Sequence, residues 1–346
     1  MRPIILGVFA AFFFAFTFVL NRAMELEGGS WIWSASLRFI FMAPLLFAIV
    51  WLRGNVKELF QEIKKAPGIW VRWSIIGFGL FYAPLCFAAA YGPGWLIAGT
   101  WQITIISGSL LAPLFYETVQ TKTGPVQIRG KIPYKGLTMS FIILIGVALM
   151  QAEHAAQLSL HEMLLCIAPV ILASFAYPLG NRKMMEVCAG RLDAYQRVLG
   201  MTLASLPFWL ILSLYGLASA GAPSRGQVIQ SGLVAVFSGI CATVLFFAAT
   251  DLVKGDMRKL AAVEATQSFE VLFAAAGEIL ILSSPLPGAI SWSGMALVII
   301  GMVLNSHASN QKPAVQSKAA KSSRKACDLY ETDRGLFLMI VPIPGK

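Results

Sequence analysis

Three carboxylates stand in one apolar stretch: Glu264, Glu270 and Glu278 within residues 260–282. A carboxylate at membrane depth costs a few kcal/mol on insertion scales, so it marks a functional site by default. Glu270 lies nearest the middle of the stretch. Burial favours the neutral form of a carboxyl group, so Glu270 is the candidate for exchanging a proton against a substrate. At about 100° per residue, Glu264 and Glu278 fall within about 40° of each other around a helix, with Gln267 beside them and Glu270 on another face. Glu264 and Glu278 sit near opposite ends, where they could instead reach headgroups or water. Arg38 is a second rare charge, inside the apolar stretch 31–52. It either pairs with a carboxylate or backbone carbonyls, or contacts substrate. Among the aromatic residues Phe14, Phe16, Tyr82, Tyr91, Trp95, Trp101 and Tyr177, rings facing a cavity would stack on flat or cationic compounds; packing and interface belts also enrich them. Gln102, Thr104 and Ser107 serve a site or join helices. The candidate substrate and proton site therefore comprises Glu270, Arg38, Glu264, Gln267, Trp101, Gln102, Tyr177 and Phe16.

The segments that must position these residues are apolar and nearly free of charge. Of 346 residues 57% are hydrophobic and 13% charged, against about 25% charged in an average soluble domain. Too few ionisable groups remain to clothe a globular surface, so lipid must cover much of it. Spans of about 20 residues cross the hydrocarbon core, and in lipid they must be helical because the backbone has no other hydrogen-bond partner. The pattern predicts an all-α polytopic membrane protein with ten helices near 4–21, 31–52, 69–91, 95–116, 136–151, 163–181, 194–218, 227–250, 260–282 and 291–307. Gly92-Pro93-Gly94 breaks the third from the fourth, and 122–135 reads as a basic loop. The net charge of +10 sits in short loops and a tail, which speaks for membrane orientation rather than nucleic acid. Lysines and arginines crowd the loops after the second, fourth, sixth and eighth helices, Arg182 and Arg197 counted among them, while the alternate loops hold Arg22 and Arg225. Both termini are thus expected in the cytoplasm of a cell with the chain in its inner membrane.

The halves echo each other. Phe14–Met24 and Ser174–Met184 align Asn21 with Asn181, Arg22 with Arg182 and Met24 with Met184, a shift of 160 residues. Nearly the same shift relates Arg38 to Arg197 and Glu117 to Glu278. A constant shift over separate segments is the mark of duplication. With five helices in each, residues 1–151 and 152–308 would enter the membrane from opposite sides as inverted repeats, an arrangement of secondary transporters. Residues 309–346 form a basic cytoplasmic tail, expected to be disordered.

Other features carry less. Cys86, Cys166, Cys188, Cys241 and Cys327 lack the spacing of a metal site or disulfide framework and read as packing residues. His154 and His161 in one loop are a weak metal signal, and neither metal nor cofactor is expected. Ser231, Ala235, Gly239 and Thr243 form a small-residue stripe for close helix packing, or a seam for a homodimer. Around Gly124–Lys131 the glycine-lysine spacing is one residue too long for a P-loop, and Ile132 stands where Ser or Thr is needed. No HExxH or GxSxG motif points to an enzyme.

The chain resembles the ten-helix branch of the drug/metabolite transporter superfamily, the EamA-like proteins and their multidrug-efflux relatives. The resemblance covers about residues 4–305. It rests on the two five-helix halves, on Arg38-Phe39, and on a carboxylate closing the fourth and ninth helices, Glu117 after Ala112-Pro113-Leu114-Phe115-Tyr116 and Glu278 after Ala274-Ala275-Ala276-Gly277. It implies a secondary transporter, often an exporter, with a central cavity between the halves. Small four-helix relatives keep an essential glutamate in the first helix. The first and sixth helices expected here hold no carboxylate, so coupling falls to another group such as Glu270. The expectation is a secondary active exporter of small organic or cationic compounds or metabolites, coupled to the proton gradient by alternating access. The alternative is a passive channel or facilitator for a small metabolite.

Overall fold

The computed structural model describes residues 1–91, 94–121, 124–152, 159–281, 286 and 288–310. Pro93, Lys122, His154 and the tail from 311 lie outside the described residues.

The described chain is nearly all helix, as its apolar runs require. Six helical runs are long and apolar enough to cross a membrane: Arg2–Leu26, Trp31–Leu52, Pro67–Ala89, Leu164–Cys188, Ala194–Ala220 and Arg225–Asp251. The first two are α1 and α2, followed by a short amphipathic helix α3, Val56–Lys65, which the sequence did not announce. The third run joins α4 (Pro67–Ser74) to α5 (Leu80–Ala89) through a π-helical turn at Ile75–Gly79. Next come α6 (Gly94–Trp101), α7 (Ile103–Leu110), a hairpin of β1 (Tyr116–Thr121) with β2 (Gly124–Arg129), and α8 (Tyr134–Ala152). The remaining helices are α9 (Leu160–Cys188), α10 (Ala194–Ala220), α11 (Arg225–Val234), α12 (Thr243–Asp251), α13 (Met257–Ala265), α14 (Phe269–Ile281) and α15 (Ala289–Asn310). A second π-helical segment, Ala235–Ala242, joins α11 to α12 and begins 160 positions after the first. Where ten uninterrupted spans were expected, the fourth (α6–α7) and ninth (α13–α14) are broken and the third and eighth carry π-helical segments, while α8 and α15 extend a few residues past the expected short spans.

The fourth segment departs most. It ends at Leu110 rather than near Tyr116, and Ala112–Leu114 forms a 3₁₀ turn. Pro113 has no N–H to continue an α-helix. Glu117 consequently lies in β1, opposite Ile128, and does not close a helix. The basic loop expected over 122–135 instead supplies the second strand of this hairpin, Gly124–Arg129.

Packing is tightest where glycines let backbones meet. Gly77, in the first π turn, lies against Gly180 of α9, whose added Cβ would stand 2.6 Å from the Gly77 nitrogen. The small-residue stripe packs inside the chain: Ser231, Ala235, Gly239 and Thr243 are buried, and a Cβ on Gly239 would come within 2.7 Å of Met42 Cγ in α2. It serves α2 rather than a dimer seam. Leu210, Ile211, Leu214 and Tyr215 on α10 are strongly exposed, an apolar belt of the kind that lipid covers.

Helix α1 runs alongside α13 and α14. Gly7 meets Thr266, and Val19 meets Gly277, so the two chains run in the same direction. This fixes opposite ends for the site: Glu264 towards one, Glu278 and Glu25 towards the other.

Candidate functional site

The ninth segment is broken where its polar residues concentrate. Thr266–Ser268 form a 3₁₀ turn between α13 and α14, and Glu270 stands in the first turn of α14. A helix N-terminus favours negative charge. Uniform α-helical spacing had placed Gln267 with Glu264 and Glu278, away from Glu270. A 3₁₀ turn has three residues per turn and aligns i with i+3, which brings Gln267 to the Glu270 face instead.

Those two side chains line a small cavity, with about 10 Å³ of free space, together with Phe14, Thr17, Phe18, Phe81, Leu85, Trp101 and Tyr177. Phe14, Thr17 and Phe18 come from one face of α1, at i, i+3 and i+4. Phe81 and Leu85 repeat that spacing on α5. The rings form a continuous wall: Phe81 lies 4.5 Å from Tyr177 and 5.1 Å from Trp101 between centroids. Thr17 Oγ1 donates to Ser238 Oγ at 2.5 Å. Trp101 stands beside the Glu270 carboxyl group as a hydrogen-bond donor. Glu270 Oε1, Gln267 Nε2 and Tyr177 Oη have no hydrogen-bond partner among the described residues.

Four of the eight sequence candidates thus meet in one cavity: Glu270, Gln267, Trp101 and Tyr177. The others go elsewhere. Phe16 points off the Phe14–Phe18 face of α1 and stacks on Phe237 with centroids 4.7 Å apart. Gln102 is buried, but one position past Trp101 it turns away, and Nε2 donates to the Ala98 carbonyl at 3.0 Å. Arg38 is 1% exposed, yet no carboxylate pairs with it among the described residues. Its guanidinium lies 4.0 Å from the centre of the Tyr82 ring, and Nε and Nη1 lack partners. Glu264 reaches neither headgroup nor water: the buried Arg182 of α9 donates to it from Nε at 2.9 Å and Nη2 at 2.6 Å. Arg182 also lines an open cleft with Phe115, Glu186, Lys254, Met257 and Leu260, and its partner Glu264 lies along the chain between Leu260 of the cleft and Gln267 of the cavity.

Several participants escaped the sequence. Arg182 and Arg197 had been assigned to loops, but both are 1% exposed within helices. Arg197 Nη1 donates to Asp251 at 2.5 Å, beside Asn181, which also bonds Thr250. Asn21 is likewise buried, donating to Tyr82 at 3.4 Å and Cys86 at 3.7 Å. Helix α1 extends to Leu26, five residues beyond expectation, and so does carry a carboxylate, Glu25. Two further spaces lead from the Glu270 cavity towards it. One shares Phe18 and Leu85 with that cavity; the next shares Asn21, Glu25 and Ala89 with the first and adds Gly29, Ser34 and Cys86. Glu278 is half-buried, in electrostatic reach of Arg22. His161 is exposed at the start of α9.

Long apolar helices and lipid-ready faces define a multi-pass membrane protein, and it holds a buried carboxyl group against an internal cavity. The family described as "EmrE: Putative multidrug resistance efflux transporter" matches residues 1–311, and the chain belongs to this family of the drug/metabolite transporter superfamily. It is 58% identical over 326 residues to "Uncharacterized protein YjlA" of Bacillus subtilis (strain 168), covering 94% of this chain and 100% of that one. It is 49% identical over 270 residues to an "Uncharacterized 42.1 kDa protein in intracellular alkaline protease 3'region" of Shouchella clausii, covering 78% and 70%. A solved structure described as "Crystal structure of protein" shares the fold with a TM-score of 0.63 at 11% identity, over 87% of this chain and 95% of that one.

Proposed function

We propose that the chain is a secondary active exporter of small organic or cationic compounds, driven by the proton gradient, with Glu270 as the group that carries proton and substrate in turn. The observation that bears most weight is the Glu270 carboxyl group, 1% exposed, against a small aromatic cavity with one oxygen unpartnered and no cation bonded to it among the described residues. Such a carboxyl is neutral when protonated and attracts a cation when it is not, so the two ligands exclude each other. Rings beside it hold organic cations by their faces.

Alternating access follows from two inverted halves, 1–151 and 152–308, rocking about this cavity. The 160-residue shift of Asn21 to Asn181 supports the duplication, and so does the equal spacing of the two π segments. Discontinuous helices at the midplane are the usual seat of transporter sites, and α13–α14 is one. The spaces leading past Phe18 to Asn21 and Glu25 would be the outward path, and the cleft beyond Arg182 the cytoplasmic mouth. On this orientation both termini lie in the cytoplasm and the protein in the cell's inner membrane.

The test is proton release from purified, detergent-solubilised protein on adding organic amines and quaternary cations, comparing wild type with Glu270→Gln. Ligand-dependent release lost in the variant is the expected result. Ligand binding without release, unchanged in the variant, would remove Glu270 from the mechanism and favour a facilitator.

A further inference from the structure

We infer that the Glu270 cavity takes a small primary or secondary amine that also carries a hydrogen-bond acceptor close to its nitrogen, in preference to bulky quaternary cations; the inference rests on the transport reading of the same cavity. Three polar atoms there lack partners: Glu270 Oε1, Gln267 Nε2 and Tyr177 Oη. All three belong to side chains no more than 2% exposed, and all three residues line the same cavity. A buried polar atom left unmatched is costly, so the preferred ligand is the one that supplies what each lacks.

The missing partners differ in kind. Glu270 Oε1 accepts, and calls for an N–H; a quaternary ammonium has none. Gln267 Nε2 only donates, and calls for an acceptor. Tyr177 Oη does either. Because the 3₁₀ turn sets Gln267 and Glu270 one turn apart on one face, amine and acceptor must be near neighbours, as in a vicinal amino alcohol. The wall of Phe14, Phe81, Trp101 and Tyr177 suits one flat ring. Free space there is only about 10 Å³, room for about one water, so the walls must part to admit a ligand, and a small one with a single ring asks least of them.

Three probes separate these requirements: 2-amino-1-phenylethanol, 2-phenylethylamine, which lacks the acceptor, and trimethyl(2-phenylethyl)ammonium, which lacks N–H. Equilibrium binding to the purified full-length protein is measured by calorimetry. The amino alcohol should bind, and removing either feature should weaken it about tenfold, the scale of one satisfied hydrogen bond. Gln267→Leu should bring the amino alcohol and phenylethylamine to equal affinity, and Glu270→Gln should weaken both. The wild-type series stands by itself if a variant does not fold. A quaternary ligand as tight as the primary amine, a hydroxyl preference that survives Gln267→Leu, or no binding of the amino alcohol overturns the inference. The transport reading fails separately: the predicted affinity order without proton release leaves the ligand class standing, whereas proton release evoked by quaternary cations alone leaves transport standing and removes the ligand class.

Discussion

Arg182 on α9 grips the Glu264 carboxylate of α13 with two hydrogen bonds, Nε at 2.9 Å and Nη2 at 2.6 Å, and neither side chain exceeds 3% exposure. The pair joins helices 82 residues apart in sequence and stands where the cleft would open onto the Glu270 cavity. A buried pair of this kind adds little over a well-packed apolar one, but removing a single partner strands a charge. Arg182→Met and Glu264→Met are each expected to destabilise by about 3–5 kcal/mol, while the double Met variant recovers most of the loss. Thermal unfolding in detergent reads this, and equal losses in single and double variants would show that the charges do not act as a pair.

Gly108 of α7 reports on the same contact from the other side. A Cβ there would press on Glu264 Oε2, with Arg182 Nη2 at 3.4 Å. Gly108→Ala should therefore destabilise wild type, by about 1–3 kcal/mol if the pair is pushed off its geometry, and cost much less where Glu264 is already Ala. A full cost in both backgrounds would place the strain elsewhere than on the ion pair.

Gly180 makes a harder contact, because its neighbour is backbone. The Cβ of Gly180→Ala would stand 2.6 Å from Gly77 N and 3.2 Å from the Trp73 carbonyl; no side chain can swing aside. The variant should lose more stability than Gly108→Ala, and Gly180→Val more again. Unfolding temperatures of the three in one detergent give the order, and a tolerated Gly180→Ala would mean that the π turn at Ile75–Gly79 moves freely.

How much of this was legible turns on whether a residue's cost or only its partner mattered. Glu270 could be found because a carboxylate in an apolar run is expensive wherever it points. Its alignment with Gln267 could not, because Ala265-Thr266-Gln267-Ser268 holds neither Gly nor Pro to announce a change of helical period. Arg182 looked like a loop cation, since its carboxylate lies on a distant segment and sequence spacing cannot pair them. The hairpin had a signal, Pro113 and the β-branched Thr118 and Val119 before Gly124-Pro125, which the preceding apolar run obscured. Asn21 and Asn181, which the sequence echo sets against each other, are both buried.

At the surface, Glu62 of α3 bonds Lys65 and Arg191, the latter at 3.1 Å from Nε, and together they hold its carboxyl below the usual value of 4.5. A lowered folded-state value means that the bonds stabilise above pH 4.5 and fade as pH falls through the lowered value. Glu62→Gln should thus lower the unfolding temperature slightly at neutral pH, by under about 1 kcal/mol for so exposed a cluster, and by less in strong acid. A cost that grows on acidification would contradict this sign.

Arg38 and Arg197, which a shift of nearly 160 residues in the sequence sets against each other, have different surroundings. Arg197 has Asp251 at 2.5 Å and the Phe247 ring at 4.5 Å. Arg38 is just as buried but has the Tyr82 and Phe39 rings in place of a carboxylate. A buried cation with no carboxylate partner among the described residues works against folding, so we propose that Arg38 serves the transport cycle rather than stability. Arg38→Met keeps the long apolar stem and removes the charge. It should unfold at the same temperature as wild type or higher, and transport more slowly in proteoliposomes. Arg197→Met, which strands Asp251, should unfold earlier. The comparison decides between the two roles: a large loss of stability in Arg38→Met with transport per folded molecule unchanged would make Arg38 a packing residue after all.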